Sequence, residues 1–558
     1  MVDAVQDEML VLADGTLDND TLNGTADNDT LNGLAGDDLI NGLEGNDSVD
    51  GGEGRDSLNG DAGNDTIYGD DAQDTIWGGD GDDRLYGGAG FDRIYGGIGN
   101  DTIYGGLDQG GSMSSNTLSG GAGDDWYYTD NGYWEVEEQE NGGQDTIVSS
   151  GGLTLPDNVE VGYLDIDGTL PAQMNGNGLD NLLGGNNLSN TIRGLAGKDT
   201  IYGNAGDDLI RGGGGSDSIY GGLGNDTLFG LEDDSGLQNG DADVFFGGDG
   251  NDYAFGDMRA DTFYGGSGID TLIGNEGDDL YFIDSDSDVV VEKARQGTDT
   301  VVSLNNYTLK NNIENGYLDT GGTATRLTGS SSGNVLGGND VANFIYGGGS
   351  TDTLYGNGGN DKLFGGATGD RIYGGSGRDT MIGGDGNDWY YRLDADDVIV
   401  EARANNADTV LSWLDMVLPE NVEYGYLDTD STATKLTGNA GHNVLGGNDL
   451  GNKIVGKSGN DTLYGNGGDD FLTGGRGRDS FGLYKNIDSD RVVDFVAKGQ
   501  NHDFVLIFDL PEIRNYADLK ANHMRQKGQD VVINSGSGET LTLEDTRLSD
   551  LTADHFLF

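Results

Sequence analysis

The sequence predicts an all-β chain: a modular parallel β-roll or β-helix solenoid of nine-residue repeats, followed by a small C-terminal β-rich domain. Three observations predict it. A nine-residue period holds its register from Gly15 for about ten units, each unit carries one aliphatic residue at a fixed place, and glycine fills 104 of the 558 positions. Repeats at a short fixed period are the sequence signature of solenoids.

The units begin at Gly15, Gly24, Gly33, Gly42, Gly51, Gly60, Gly69, Gly78, Gly87 and Gly96. Their sixth residue is Asp20, Asp29, Asp38, Asp47, Asp56, Asp65, Asp74, Asp83, Asp92 or Asp101, and their eighth is Leu, Ile or Val from Leu22 to Ile103. Glycines at the start allow a tight turn with positive φ and expose backbone carbonyls. The aspartate closes that turn. Three residues of strand follow, with the central aliphatic pointing to one side and its neighbours to the other. One aliphatic per strand builds only a thin core. Two nonapeptides per coil would place turns on both edges and aliphatics from two strands between them.

Charge says what the turns are for. Asp and Glu outnumber Lys and Arg by 99 to 29, a formal charge of −70. A compact chain with that charge repels itself, and low hydrophobicity with high charge ordinarily means disorder. A bound cation removes the conflict. Calcium takes six to eight oxygens from carboxylates and carbonyls. In a stacked roll, turns eighteen residues apart lie over one another, so Asp20 and Asp38 would flank one ion and Asp29 and Asp47 the ion on the opposite edge. A solvated Gly/Asp linker would need no register and no aliphatic at position eight.

The pattern returns three times, and the expected organisation is 1–14 N-terminal segment, 15–125 first array, 126–175 linking segment, 176–279 second array, 280–328 linking segment, 329–388 third array, 389–437 linking segment, 438–482 fourth array and 483–558 C-terminal β-rich domain. The later arrays supply the remaining position-six candidates: Asp125, Asp199, Asp208, Asp217, Asp226, Asp243, Asp252, Asp261, Asp270, Asp279, Asp352, Asp361, Asp370, Asp379, Asp388, Asp461, Asp470 and Asp479. Shared between coils, these acids imply about twenty or more Ca²⁺ ions. Each later array opens with Asn at position six (Asn181 and Asn190, Asn334 and Asn343, Asn443 and Asn452), which keeps an oxygen but gives up the charge. These first coils are expected to join the roll to the preceding segment. The linking segments share runs such as DTIVSS and DTVVSL, rich in β-branched residues, and are expected to continue the solenoid as wider coils. Tyr163 recurs as Tyr317 and Tyr426, the first interval being longer by 45 residues, five nonapeptides' worth. Register breaks at Leu107–Ser119 and Leu231–Leu237, where either projecting loops that contact partners or harmless bulges are expected.

After Phe481, RVVDFVAKG, HDFVLIF, QDVVINSG and ETLTLE read as longer strands and NYADLKANHM as a short helix. The absence of Cys excludes disulfides and thiolate metal sites. No apolar run reaches the ~20 residues of a membrane span, MVDAVQDEML lacks the parts of a Sec-type signal, and an acidic surface repels nucleic acid.

The unit GGxGxDxUx resembles the RTX, or haemolysin-type, calcium-binding nonapeptide repeat. The ending LSDLTADHFLF, behind repeats, is similar to that of serralysin-type proteins, although four residues follow Asp554 and the first is His555. The resemblance implies Ca²⁺ as cofactor, export read by type I secretion machinery from the C-terminal segment, and an extracellular place at the cell surface. Many such proteins carry a catalytic domain ahead of the repeats; here the repeats begin near residue 15. There is no H-E-x-x-H. The G-x-S-x-G match at Gly329 to Gly333 sits inside a degenerate nonapeptide, whereas a nucleophile elbow needs a strand before it, a helix after it and a His partner. The reading is therefore non-enzymatic: a secreted structural protein that folds on extracellular calcium and self-assembles into a surface layer, fibre or biofilm matrix. The alternative is a calcium-dependent adhesin or matrix protein that binds cell-surface polysaccharide through aromatic faces, since Tyr68, Tyr86 and Tyr104 would form one ladder and Trp77 and Tyr95 another. A third reading, a cryptic polysaccharide-acting enzyme, would use the linking segments.

Overall fold

The computed structural model describes residues 12–106, 116–129, 134–169, 171–231, 240–392, 394–402, 406–485, 487–536 and 538–558. The chain falls into two compact units, Met1–Gly297 and Thr298–Phe558. Both are built almost wholly of short parallel strands, and among the described residues no helix is long and apolar enough to cross a membrane.

In the first unit, successive strands alternate between two facing sheets. Thr30–Asn32 pairs with Ser48–Glu53, and that strand with Thr66–Asp71. Between them in sequence, Leu39–Glu44 pairs with Ser57–Ala62, and that with Thr75–Asp80. Every offset is eighteen residues, so two nonapeptides make one coil. The register sets aliphatic on aliphatic: Val49 opposite Ile67 in one sheet, Ile40 opposite Leu58 in the other. All four are fully buried. The core is a single file from each sheet, as thin as the repeat predicts. In the second array the file widens, with Phe245, Phe263 and Tyr281 stacked at 4.8 and 5.0 Å.

The turn glycines serve two separate ends. Position two needs a left-handed backbone, as at Gly52 (φ 95°), and Leu34, Leu43, Asp61 and Asp70 adopt it in other units. Position one needs space and no unusual φ, for the reason given below.

Within the first two arrays, two coils are longer than eighteen residues. Arg93 pairs with Thr117 and Ser218 with Val244, which adds six and eight residues. The expected loops or bulges at Leu107–Ser119 and Leu231–Leu237 fall in these coils, and 107–115 and 232–237 lie outside the described residues.

The linking segments do continue the parallel sheets, with one correction. Trp126 pairs with Thr146, Thr146 with Val161 and Val161 with Leu182, giving coils of 20, 15 and 21 residues. In the second unit the corresponding coils, Trp389 to Thr409 to Tyr424 to Val444, have 20, 15 and 20. The middle coil is narrower, not wider, because it lacks the glycine turn on one edge. The 45-residue difference between tyrosine intervals is likewise not five nonapeptides. It resolves into two whole coils, the eight extra residues before Val244 and one extra residue before Leu182.

The C-terminal residues extend the second unit before capping it. Ser480–Leu483 pairs with Phe504–Ile507, and that strand with the terminal Phe556–Leu557, all parallel. On the other sheet Ser489–Val492 pairs with Thr540–Leu543, beyond which the sheet continues antiparallel through Asp530–Asn534 to Met524–Lys527. These strands have two to five residues, no longer than the six-residue strands of the arrays. The outer one exposes Arg525, Gln526 and Lys527, charged and polar side chains that protect an edge from further pairing. The short helix begins at Tyr516, capped by Asn515, whose side chain accepts from the amide of Asp518 at 3.0 Å.

Candidate metal centres in the turns

One hydrogen bond organises the turns. The amide of Asp38 donates to Oδ1 of Asp56, and the amide of Asp56 to Oδ1 of Asp74, each at 2.8 Å. On this edge the ladder runs Asp20, Asp38, Asp56, Asp74, Asp92 and then Asn116. The opposite edge runs Asp29, Asp47, Asp65, Asp83, Asp101, Asp125 and Asp145.

The later arrays repeat the arrangement. Asp199, Asp217, Asp243, Asp261 and Asp279 form one ladder, and Asp208, Asp226, Asp252, Asp270 and Asp288 the other. In the third array Asp352, Asp370, Asp388 and Asp408 line one edge and Asp361, Asp379 and Asp397 the other. In the fourth, Asp461 leads through Asp479 to Asp503, and Asp470 to Asp490. Every sequence-predicted aspartate thus stands in a ladder, and all except Asp20 are buried.

Sequence reasoning stopped one coil short. Asn116, Asp145, Asp288, Asp397, Asp408, Asp490 and Asp503 also accept from the ladder below, although no glycine turn precedes most of them. Their signal was the acid or amide directly before a short strand: Asp145-Thr146 and Asp408-Thr409 repeat the Asp65-Thr66 pair.

The ladder uses Oδ1 and leaves Oδ2. At Asp38, Asp47, Asp56, Asp65, Asp199 and Asp352, Oδ2 is buried without a hydrogen-bond partner. A buried carboxylate oxygen in that state is costly. Each points at the first glycine of its own turn. A methyl group on Gly69 would lie 2.7 Å from Asp74 Oδ2 and 2.5 Å from the carbonyl oxygen of Gly87, one coil on. Position one is therefore glycine because carboxylate and carbonyl oxygens converge there. Hard oxygen donors from carboxylates and carbonyls are the set that calcium takes, so these residues fit the ion.

Two variations mark the array starts. At Asp20 and Asp29 the second glycine is replaced by Thr16 and Thr25, whose hydroxyls donate to Oδ2 at 2.9 and 3.0 Å. These carboxylates already have protein donors. Where Asn replaces Asp, the amide group supplies hydrogens instead of a cation: Asn334 Nδ2 donates to the carbonyl of Ile313 at 2.8 Å, and Asn443 Nδ2 to that of Val422 at 3.0 Å. The first coils are thus tied to the preceding linking segment by neutral hydrogen bonds.

Burial, first, and neighbouring carboxylates push the ladder acids upward, against the backbone hydrogen bond that favours their charged form. Asp74 and Asp101 are raised to about 8, Asp261 to about 8 and Asp243 to about 9.

Outside the turns, position nine forms aromatic stacks. Tyr68, Tyr86, Tyr104 and Tyr128 stand 4.7, 4.5 and 4.6 Å apart, and Trp77 lies 6.0 Å from Tyr95. In the second array Tyr202, Tyr220, Phe246, Tyr264 and Phe282 continue in the same way.

Comparison with known families gives one match: the model of the RTX calcium-binding nonapeptide repeat fits residues 14–110, 114–133, 184–236, 239–290, 328–399 and 446–481, more than half of the chain. Among solved structures, the extracellular lipase LipA from Serratia marcescens is similar at 16% identity, covering 47% of this chain and 45% of the lipase, with a TM-score of 0.16. The chain spans less than half of that lipase, and a likeness at this score carries no argument. No curated protein matches.

Proposed function

Since the chain belongs to the RTX calcium-binding nonapeptide repeat family, whose repeats bind Ca²⁺ and typify secreted proteins, we propose that it is a structural protein of a bacterial cell surface that folds on extracellular calcium and then self-assembles into a layer, fibre or matrix. The observation that carries this reading is the row of buried Asp Oδ2 atoms facing glycine carbonyls.

Without a cation, each coil buries like charges on both edges against a core one residue deep. Desolvating an ion costs several kcal/mol unless a partner compensates. Calcium shared between successive aspartates supplies that partner, and binding that requires the folded site is itself folding free energy. Extracellular modules bind at about 10⁻⁴–10⁻³ M, so the arrays would stay unfolded in cytosol and fold outside. The position-six aspartates are the proposed ligands, with Asp20 and Asp29 the weakest of them because Thr16 and Thr25 already serve their Oδ2. The strands after residue 483, ending at Phe556–Leu557, are proposed as the part read by a type I secretion machine.

RTX repeats are a structural, non-catalytic domain type, and the proposal assigns the chain no reaction. Adhesion through aromatic faces is the weaker alternative. Rings 4.5 Å apart and nearly parallel, as Tyr86 and Tyr104 are, use their faces on each other and offer a sugar mainly edges.

The test is a calcium titration of the full chain followed by circular dichroism and light scattering together. A coil-to-β transition in the millimolar range with growth into sheets or filaments, seen by electron microscopy, is the expected result. A β-folded chain that stays monodisperse would overturn the assembly part. A chain whose spectrum ignores calcium would overturn the whole reading.

A further inference from the structure

The last cradle of an array is built differently from the others. In the middle of an array, the glycine at position one faces the carbonyl of the glycine eighteen residues on, as Gly69 faces Gly87. The residue eighteen beyond Gly120 is Glu138, and the residue eighteen beyond Gly383 is Glu401. The array has run out of glycine turns, and a carboxylate stands where the next turn would begin.

These glutamates reach back into the cradle. The amide of Gly120 donates to Glu138 Oε1 at 3.0 Å. In the same repeats position eight is tyrosine rather than an aliphatic. Tyr127 and Tyr390 are fully buried, and their hydroxyls donate to Glu138 and Glu401. The amide of Gly383 donates to the Tyr390 oxygen at 2.6 Å. The coil above contributes a further acid, Asp145 or Asp408, whose Oδ1 accepts from the amide of Asp125 or Asp388 at 2.9 Å.

Three carboxylates therefore meet at each place. Asp125, Glu138 and Asp145 each offer an oxygen within 4.8 Å of the other two, and so do Asp388, Glu401 and Asp408. Asp125, Asp145, Asp388 and Asp408 have no exposed surface, Glu401 has 8%, and each of the five keeps a buried oxygen without a hydrogen-bond partner. Among the described residues, no Lys, Arg or His side chain is bonded to any of them. Three carboxylates gathered at each place around buried, unpartnered oxygens, with Glu138 half-buried and the other five acids buried, need a cation more than a single turn aspartate does.

Resting on the calcium reading above, we propose that these triads are calcium sites of a second kind, held by side-chain carboxylates in place of glycine carbonyls and filled at lower free calcium than the array cradles. Affinity at oxygen sites rises with the number of charged ligands. The sequence repeats the same residues at the same spacing in Asp279, Tyr281, Glu292 and Asp299. The fourth array carries Phe481 where the others have tyrosine, and its last turn is closed by Asp494, which accepts from the amides of Gly474 and Gly475 at 2.9 and 2.8 Å. Triad sites thus belong to the array ends that lead into another linking segment, where an early-bound ion would fix the first narrow coil.

The experiment is equilibrium dialysis of the full chain against radioactive calcium at chelator-buffered free concentrations, with circular dichroism on the same samples. The wild type is expected to take up ions in an early step, at free calcium about tenfold or more below the midpoint of the main β transition. The double variant Glu138→Gln, Glu401→Gln is expected to lose two ions from that step and keep the later one. If it does not reach the wild-type spectrum in saturating calcium, Tyr127→Phe with Tyr390→Phe decides, since it retains every carboxylate. A shift of the early step to higher calcium supports the proposal, and an unmoved step overturns it. A wild-type isotherm with a single step, or a folded glutamine variant with an unchanged isotherm, would also overturn it while leaving calcium-driven folding standing. A wild type that takes up no calcium would remove both.

Discussion

Asp47 and Asp65 stand one coil apart, and the backbone amide of the first donates to Oδ1 of the second at 2.7 Å. The bond decides which oxygen of Asp65 is occupied by protein and which remains for an ion. It also makes each turn depend on the one above, so removing a side chain at one level disturbs two.

Substitution at Asp65 separates these roles. Asp65→Asn retains an oxygen to accept from Asp47 and loses the charge, so the calcium midpoint should rise about two- to fivefold. Asp65→Ala also strands the buried Asp47 amide, which costs about 1–3 kcal/mol more. Urea unfolding of both variants in saturating calcium measures the difference. Equal stabilities would mean that the ladder bond contributes nothing.

Gly69→Ala tests the cradle. The backbone there is not left-handed, so a methyl group is objectionable only because it meets Asp74 Oδ2 and the Gly87 carbonyl. Dialysis should show the loss of at least one bound ion. Full retention of ions would show that the oxygens converge for some other reason.

The pH response should change sign with calcium. Asp74, Asp101 and Asp243 have folded values of about 8, 8 and 9 against 3.8 for the free acid, raised chiefly by burial. A raised folded value adds stability below the unfolded value, and that stability disappears as pH climbs through the folded one. In chelator, β structure should therefore be strongest near pH 4 and fade between about pH 6 and 9. With calcium present the carboxylates must be ionised, so the midpoint should move to higher calcium as pH falls from 8 to 6. Circular dichroism across that range checks both halves, and parallel trends would refute the account.

Tyr86 lies between Tyr68 and Tyr104 at 4.7 and 4.5 Å. Tyr86→Ala removes two stacked contacts, each worth about 0.5–1.5 kcal/mol, and should lower the melting temperature in calcium. Tyr86→Phe keeps the stack and should melt with the wild type. If alanine is silent as well, the ladder is available to a ligand and the adhesin reading gains ground.

The arrays were legible because each position of the nonapeptide has one physical duty. Aspartate, aliphatic and glycine recur at fixed places, and two units per coil follow from the thinness of the core. Legibility failed where the glycines stop. Nothing in DTIVSS marks a coil of 15 residues rather than 18, since the far edge of that coil, LPDNVE, turns without glycine, and Asp145 and Asp408 looked like ordinary strand-flanking acids. Thr16 and Thr25 were invisible for the opposite reason: the period is intact there, and only the hydroxyl contact with Asp20 and Asp29 shows that the carboxylate already has a partner. Glu138 and Glu401 stand in register with the missing glycine, a relation that becomes meaningful once the eighteen-residue coil is known.

Alternate nonapeptides serve opposite edges, so growth of an array has a parity rule. Inserting nine residues would hand every later strand to the facing sheet and deliver the asymmetric 20- and 15-residue coils to the wrong side. Inserting eighteen leaves each strand where it was. The two tyrosine intervals obey this: they differ by two whole coils, with the remaining odd residues placed in the coils before Leu182 and Val244. A lineage of such chains should lengthen and shorten by pairs of repeats, and a designer who wishes to extend one should add units two at a time.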